Sequence, residues 1–491
     1  MTSQRLPTAS KELCPTYLSS HMLLFLSLEH ERKRAVGMQN KIRFANTFFA
    51  ALLLSLTPAV LRPQAPAREQ GLPPPEAKPQ QTSTTTINSG IVQESARVYG
   101  IQGVLIETLD GKIVSEQAAD QSFNPASSVK LATALVALHT LGPNHRFTTG
   151  FWTDGSFDKA TGQMLGNLYV TGSDPSFHHE HAIMIAQQLN SLGIRTVTGN
   201  LVVAPGFTMN FNWSARRSGE LLHDTFDSTL RSVEALQAWT YERTALGDQS
   251  SLRTIPSLTV KGDVSVGPVA PGARLLLTHK SSKLSDVLKV LLCYSNNFMA
   301  ERIGDSLGGK ESVMRQLVAM LGIPPAEIEL ASLSGLGVNR VTPHAMMKIF
   351  RGLRAELQKN KLSPADIMPV AGIDPGTLED RFRGPAWQGS VIAKTGTLVR
   401  TDGGASSLVG QMRTADGGTL LFVIMNQHGN VLRFRSNQDY LVMQVQNSRG
   451  GPKAFNYKPL ALTMKLADTE SVSGLTSGEL ERNLKGPSNS P

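Results

Sequence analysis

Cysteine is nearly missing from this chain: 491 residues hold two, Cys14 and Cys293, far apart. That excludes a disulfide framework and a cysteine metal cluster, so packing has to hold the fold. The chain also lacks a dense run of lysine or arginine, although its formal net charge is +9. Without a basic stripe nucleic acid is not an expected partner, and the positive surplus fits attraction to a polyanionic surface. Long hydrophobic runs are missing as well. The apolar stretch Phe44 to Leu56 is too short for a transmembrane helix of ordinary length. What is present is globular composition, 40% hydrophobic and 18% charged, enough for a sizeable core. At roughly 150 residues per domain, two to three units are expected.

From Met38 onward the chain reads as a secretory leader. Lys41 and Arg43 give a basic start, Phe44 to Leu56 the apolar core, and Ala65-Pro66-Ala67 a small-residue cleavage site. Residues 1–67 are therefore read as a signal-peptide region with its true start at Met38, either cleaved or kept as an anchor. Residues 68–90, rich in Pro, Gln and Thr, read as a disordered linker, and 461–491 as a disordered tail.

Folding signals begin near Arg97. Val98 to Leu109 alternates towards an Asp110-Gly111 turn, and Lys112 to Ser115 returns, which predicts a hairpin. Next, Pro125 precedes a helical apolar run from Leu131 to Leu141, stopped by Gly142 and Pro143. Ser127 and Lys130 stand at its start, and their spacing puts both side chains on one face. A helix N-terminus favours an alkoxide or oxyanion and a neutral lysine amine, which is what an activated nucleophile needs. Alone the pattern is weak, because Ser-x-x-Lys arises by chance, with a capping Ser and a solvated Lys as the plain alternative.

Two later elements add weight. Tyr294-Ser295-Asn296-Asn297 lies between helical stretches, Leu284 to Leu292 and Phe298 to Leu307, which puts Ser295 and Asn297 on a short connection. Val391 to Ala393 reads as a strand running into Lys394-Thr395-Gly396-Thr397, with further strands at Ser407 to Met412 and Leu420 to Met425. In that order, Ser127-x-x-Lys130, Ser295-x-Asn297 and Lys394-Thr395-Gly396 resemble the three motifs of penicillin-binding proteins and serine β-lactamases.

Flanking stretches narrow the resemblance to D-alanyl-D-alanine carboxypeptidases and endopeptidases with an insertion between the first two motifs. These are Gly166-Asn167-Leu168-Tyr169-Val170 with Gly172-Ser173-Asp174-Pro175, Ser334-Gly335-Leu336 with Asn339-Arg340-Val341-Thr342-Pro343, and Gly376-Thr377-Leu378 with Arg381-Phe382. The likeness runs from about 90 to 445. About 165 residues separate the first two motifs, room for an inserted domain. Ser332-Leu333-Ser334-Gly335-Leu336-Gly337 departs from the family's Asp-Gly-Ser-Gly-Leu-Ser but keeps Ser-Gly-Leu.

The resemblance implies an α/β (α+β) fold of the serine β-lactamase and penicillin-binding transpeptidase type: an antiparallel sheet flanked by helices, plus an all-helical lobe. The catalytic domain is expected over 91–145 and 278–460, with a β-rich inserted domain over 146–277. It implies peptidoglycan stem peptides as substrate, β-lactams as inhibitors and no cofactor. Ser127 would be the nucleophile and Lys130 its base. Ser295, Asn297 and Lys394 would assist, Thr395, Gly396 and Thr397 would bind substrate, and the amides of Ser127 and Thr397 would form the oxyanion hole. Two rivals remain, a β-lactamase or esterase on the same fold and a non-catalytic wall- or antibiotic-binding protein. Many β-lactamases use a Glu-x-x-x-Asn segment to activate water, and none lies between Lys130 and Ser295.

Other features take plainer readings. His178-His179-Glu180-His181 reads as a polar helix start, since adjacent helical side chains diverge by about 100 degrees and cannot all reach one ion. Cys293 reads as a small core residue, and Arg216-Arg217 as a solvated pair.

Overall fold

The structure is a computed structural model that describes residues 100–474. The expected leader and linker, and the tail beyond Gly474, lie outside the described residues.

β1 (Ile101–Thr108) and β2 (Ile113–Gln117) form the expected antiparallel hairpin. Its turn requires glycine, because Gly111 stands at φ +93, where a Cβ is strained. A 3-10 turn, Ala126–Val129, leads into α1 (Lys130–Leu141). Lys130 through Leu138 are all buried, as expected of a helix that is apolar on every side.

Then come β3 (Thr148–Thr153), β4 (Leu168–Gly172), α2 (His179–Ser191), β5 (Leu201–Val203), α3 (Ala215–Phe226), α4 (Val233–Ala245), β6 (Val264–Val266) and β7 (Arg274–Lys280). α5 (Leu284–Tyr294), α6 (Asn297–Ser306), α7 (Gly309–Leu321) and α8 (Pro343–Lys359) follow. After them the chain runs, among shorter pieces, through β8 (Val391–Leu398), β9 (Ala405–Arg413), β10 (Thr419–Gln427), α9 (Val431–Asn447), α10 (Leu462–Leu466) and β11 (Glu470–Ser473).

One sheet has the order β8-β9-β10-β1-β2 and is antiparallel throughout. Alternate residues feed two cores. Leu105, Ile392, Val409 and Val423 join the buried faces of α1, α5 and α8. Val104, Ala393, Leu408 and Phe422 join Leu441 and Val442 of α9 on the opposite side. Being covered on both faces explains why β10 reads as an unbroken apolar run. This is the expected sheet flanked by helices.

A second sheet has the order β6-β5-β4-β3-β7-β11 and carries its own core. Two expectations need correcting here. The stretch 146–277 is not simply β-rich, since α2 and α3 pack with these strands, α4 packs on α2, and β7 carries the sheet on to Lys280. α3 and α4 start at Ser214 and Ser232, whose side chains accept from Arg217 N and Ala235 N as N-caps.

The tail does not begin at 461. Leu462 and Leu466 of α10 are buried, and β11 pairs with β7 from Leu277↔Ser473 to Lys280↔Glu470. Ion pairs of Arg146 with Asp468 and Glu470 fasten it. A short polar edge strand earns its order from a distant partner, and nothing in its own composition announces that.

Candidate active site

Ser127 lies in the 3-10 turn that feeds α1, and Lys130 is the first residue of the helix. Side chains three apart eclipse in a 3-10 turn, which brings Lys130 Nζ to 3.0 Å from Ser127 Oγ. The approach to the turn is held tightly. Ala126, at φ 46, has its N–H bonded to Asn124 Oδ1 at 3.0 Å. Asn124 Nδ2 in turn donates to Gly337 O and to Asp402 Oδ2, and Arg340 binds Asp402 with both Nη groups. Sparsely populated backbone of this kind persists only where its surroundings over-determine it.

Lys130 is fully buried. Besides Ser127, Nζ meets Asn297 Oδ1 at 2.7 Å and the Ser334 carbonyl. Those two oxygens only accept, so an uncharged amine would spend both N–H bonds on them and turn its lone pair to the Ser127 hydroxyl. Burial holds Lys130 well below the ordinary lysine range; the charge of Lys394 adds to that and Glu301 opposes it.

Ser295 ends α5 in the left-handed conformation, φ 57, which turns the chain sharply into α6 and sets Asn297 at its first turn. Asn296 caps α6 by accepting from Met299 N at 3.0 Å. Behind this corner, Thr377 N donates to Cys293 O at 2.9 Å, and a Cβ on Gly376 would sit 2.3 Å from that same oxygen. The Gly376-Thr377-Leu378 stretch thus braces the second motif.

Lys394 Nζ donates to Ser295 Oγ at 2.8 Å and to Thr395 O at 2.6 Å. Burial pushes this lysine down to about 7. Thr395 is buried and Thr397 exposed on β8, the edge strand of its sheet. Val370 bridges that edge at Ile392, and from Lys394 onward no described strand covers it. Gly396 has a reason of its own. A Cβ there would lie 2.2 Å from Ser407 Oγ and 2.5 Å from Pro125 O, so its missing side chain lets β8 press against the nucleophile's turn.

The three motifs therefore meet. Ser127, Lys130 and Asn297 are joined by direct contacts, Ser295 and Lys394 by another, and Lys394 acts electrostatically on Lys130. Sequence reasoning missed Glu301, which accepts from Ser334 N at 2.8 Å and Leu333 N at 3.4 Å. Its spacing of four from Asn297 on one helix was the available signal. It also missed the Ser334 carbonyl, a backbone group with no signature of its own.

The histidine stretch is a helix start: His178 is the N-cap of α2, and its N–H donates to His181 Nδ1 at 3.0 Å. Glu180, His181 and Glu242 lie close enough to share a cation. With Nδ1 accepting, however, His181 Nε2 carries its proton, turned to Leu466 O at 3.3 Å, and offers an ion no lone pair. Cys293 is buried, and burial raises its thiol to about 12, which leaves it inert.

A family model described as D-Ala-D-Ala carboxypeptidase 3 (S13) family matches residues 89–215 and 249–445. A D-alanyl-D-alanine carboxypeptidase of an Actinomadura species is 25% identical over 439 residues, covering 69% of this chain and 80% of that protein. Among solved structures, a penicillin G-acylated predatory endopeptidase from Bdellovibrio bacteriovorus aligns with TM-score 0.62 at 23% identity, over 74% of this chain and 97% of that one. Penicillin-binding protein 4 from Haemophilus influenzae aligns with TM-score 0.52 at 19% identity, over 70% and 96%.

Proposed function

Since the chain belongs to the D-Ala-D-Ala carboxypeptidase 3 (S13) family, we propose that it hydrolyses the D-alanyl-D-alanine ends of peptidoglycan stem peptides through an acyl-enzyme at Ser127. The observation that carries this reading is the buried Lys130 amine, 3.0 Å from the Ser127 hydroxyl and flanked by two carbonyl acceptors.

Ser127 Oγ attacks the carbonyl of the penultimate D-alanine while Lys130 takes the hydroxyl proton. The amides of Ser127 and Thr397 receive the oxyanion, and the open edge of β8 pairs with the extended peptide. As the C–N bond breaks, Ser295 passes a proton to the leaving amine and free D-alanine departs. Lys394, poised near neutrality, replenishes Ser295 and, with Thr395, holds the substrate's terminal carboxylate. Asn297 fixes the Lys130 amine and the substrate amide. The proton that Lys130 took from Ser127 then returns to the Ser295–Lys394 pair and leaves Lys130 neutral, so that Lys130 can accept a proton from the water that attacks the ester and pass it to the Ser127 oxygen as that C–O bond breaks.

A β-lactam presents a similar carbonyl and would acylate the same serine. Peptidoglycan is built outside the cytoplasmic membrane, so the reading includes export, in keeping with the leader expected at Met38. No helix among the described residues is long and apolar enough to cross a membrane.

A fluorescent penicillin and a synthetic pentapeptide test the proposal together. Stable labelling of the wild type, lost in Ser127→Ala, with D-alanine released from the peptide, is expected. Rapid release of hydrolysed drug without D-alanine release would instead mark a β-lactamase. Absence of both labelling and release would mark a binding protein. Digestion of purified wall then separates trimming, which frees single D-alanines, from cleavage of cross-linked dimers.

A further inference from the structure

We propose that Glu301 is a positioning residue for this reaction, holding the backbone of Leu333 and Ser334 so that the Ser334 carbonyl orients the Lys130 amine. The inference rests on the reading of Ser127 and Lys130 given above.

The geometry runs through one loop. Glu301 follows Asn297 by four residues on α6, so the two share a helix face. Asn297 touches Lys130 directly, whereas the Glu301 carboxylate takes two successive N–H groups, Ser334 at 2.8 Å and Leu333 at 3.4 Å. A carboxylate only accepts, and two oxygens facing two amides suit it. Thr133 Oγ1, on the same helix as Lys130, donates to Leu333 O at 2.8 Å. Gly335, at φ +88, packs so tightly that a Cβ would lie 2.0 Å from Ala126 O. α6 approaches this loop across Gly304, where a Cβ would meet Leu333 Cδ1 at 2.1 Å. With its other groups engaged, the loop presents Ser334 O to Lys130 Nζ and, at 3.4 Å, to Ser127 Oγ.

Charge points the same way. The groups acting on Lys130 are Ser127 from its own turn, Asn297 and Glu301 from α6, Ser334 from the loop and Lys394 from β8. Among them Glu301 alone is anionic, and it opposes the downward pull of burial and of Lys394. An amine pulled too far down is a poor base, so the carboxylate keeps Lys130 basic enough to take the serine proton.

The test is the rate of acylation by a fluorescent penicillin against pH in wild type, Glu301→Gln and Glu301→Ala. Gln keeps an oxygen for one amide but removes the charge, so the acid limb of the profile should move down by about one pH unit. Ala gives up both amide contacts, and acylation should slow about tenfold or more. A limb that moves is something a purely structural role does not produce. If the wild type labels, an unmoved limb in Glu301→Gln overturns the inference and leaves the acyl-enzyme reading standing. Should Glu301→Ala fail to fold by circular dichroism, Glu301→Gln decides alone. A wild type that takes no label sinks the acyl-enzyme reading, and this inference with it.

Discussion

Of the three lysines that are 0% exposed among the described residues, Lys130 and Lys289 have surroundings that could hardly differ more. Lys289, on α5, donates to Asp374 Oδ2 at 2.6 Å and to the carbonyls of Ala365 and Met368. Asp374 is itself satisfied by Tyr457 OH at 2.7 Å and Val370 N at 2.8 Å. Lys130, at the start of α1, meets a hydroxyl, an amide oxygen and a carbonyl, all neutral, with a second lysine near. Equal burial thus serves opposite ends. A carboxylate partner makes a staple, here behind the corner that carries Ser295, while neutral acceptors and a like charge make a base.

The comparison breaks most sharply at Lys130 itself. Lys130→Met should slow penicillin acylation by about a thousandfold or more while leaving the melting temperature unchanged or higher, because it removes a costly buried amine. Stopped-flow labelling with calorimetry checks both halves, and a normal rate in the variant would end the assignment of Lys130 as base. The staple should show the reverse profile. Asp374→Ala strands a buried cation and should cost about 3–5 kcal/mol in denaturant unfolding, and Lys289→Met combined with Asp374→Leu should recover most of it. A loss below about 1 kcal/mol would show that the pair staples nothing.

A gentler probe uses Lys394, whose folded value near 7 lies below its ordinary 10.5. Between those limits the unfolded chain binds the extra proton, so folding stability gains from rising pH across that window, and the gain is absent below about 7. Lys394→Met should reduce the slope of stability against pH there by at most about 1.4 kcal/mol per pH unit, read from paired unfolding curves. Identical slopes would mean that Lys394 is solvated as an ordinary lysine.

What was legible beforehand follows from how local each feature is. Ser127, Lys130, Asn297 and Lys394 stand in short strings with fixed internal spacing, so their order alone suggested the meeting that the fold brings about. The β1–β2 hairpin and α1 were readable for the same reason, through the Asp110-Gly111 turn and the Gly142 stop. Ser334 contributes a carbonyl that any residue would supply, and Gly396 proved tight against Pro125 O for a reason visible only once β8 lay on the turn. The strand at Glu470–Ser473 is polar and short, and its order comes from β7 nearly 200 residues away, which no local pattern records.

The charge state of Lys130 is the claim on which the rest depends, and 15N NMR of protein labelled at lysine side chains reads it most directly, with the Lys130 signal assigned by its loss in Lys130→Met. The account predicts a free-amine shift at pH 7 to 8, titrating well below the ordinary lysine range. An ammonium shift persisting through pH 9 would contradict it.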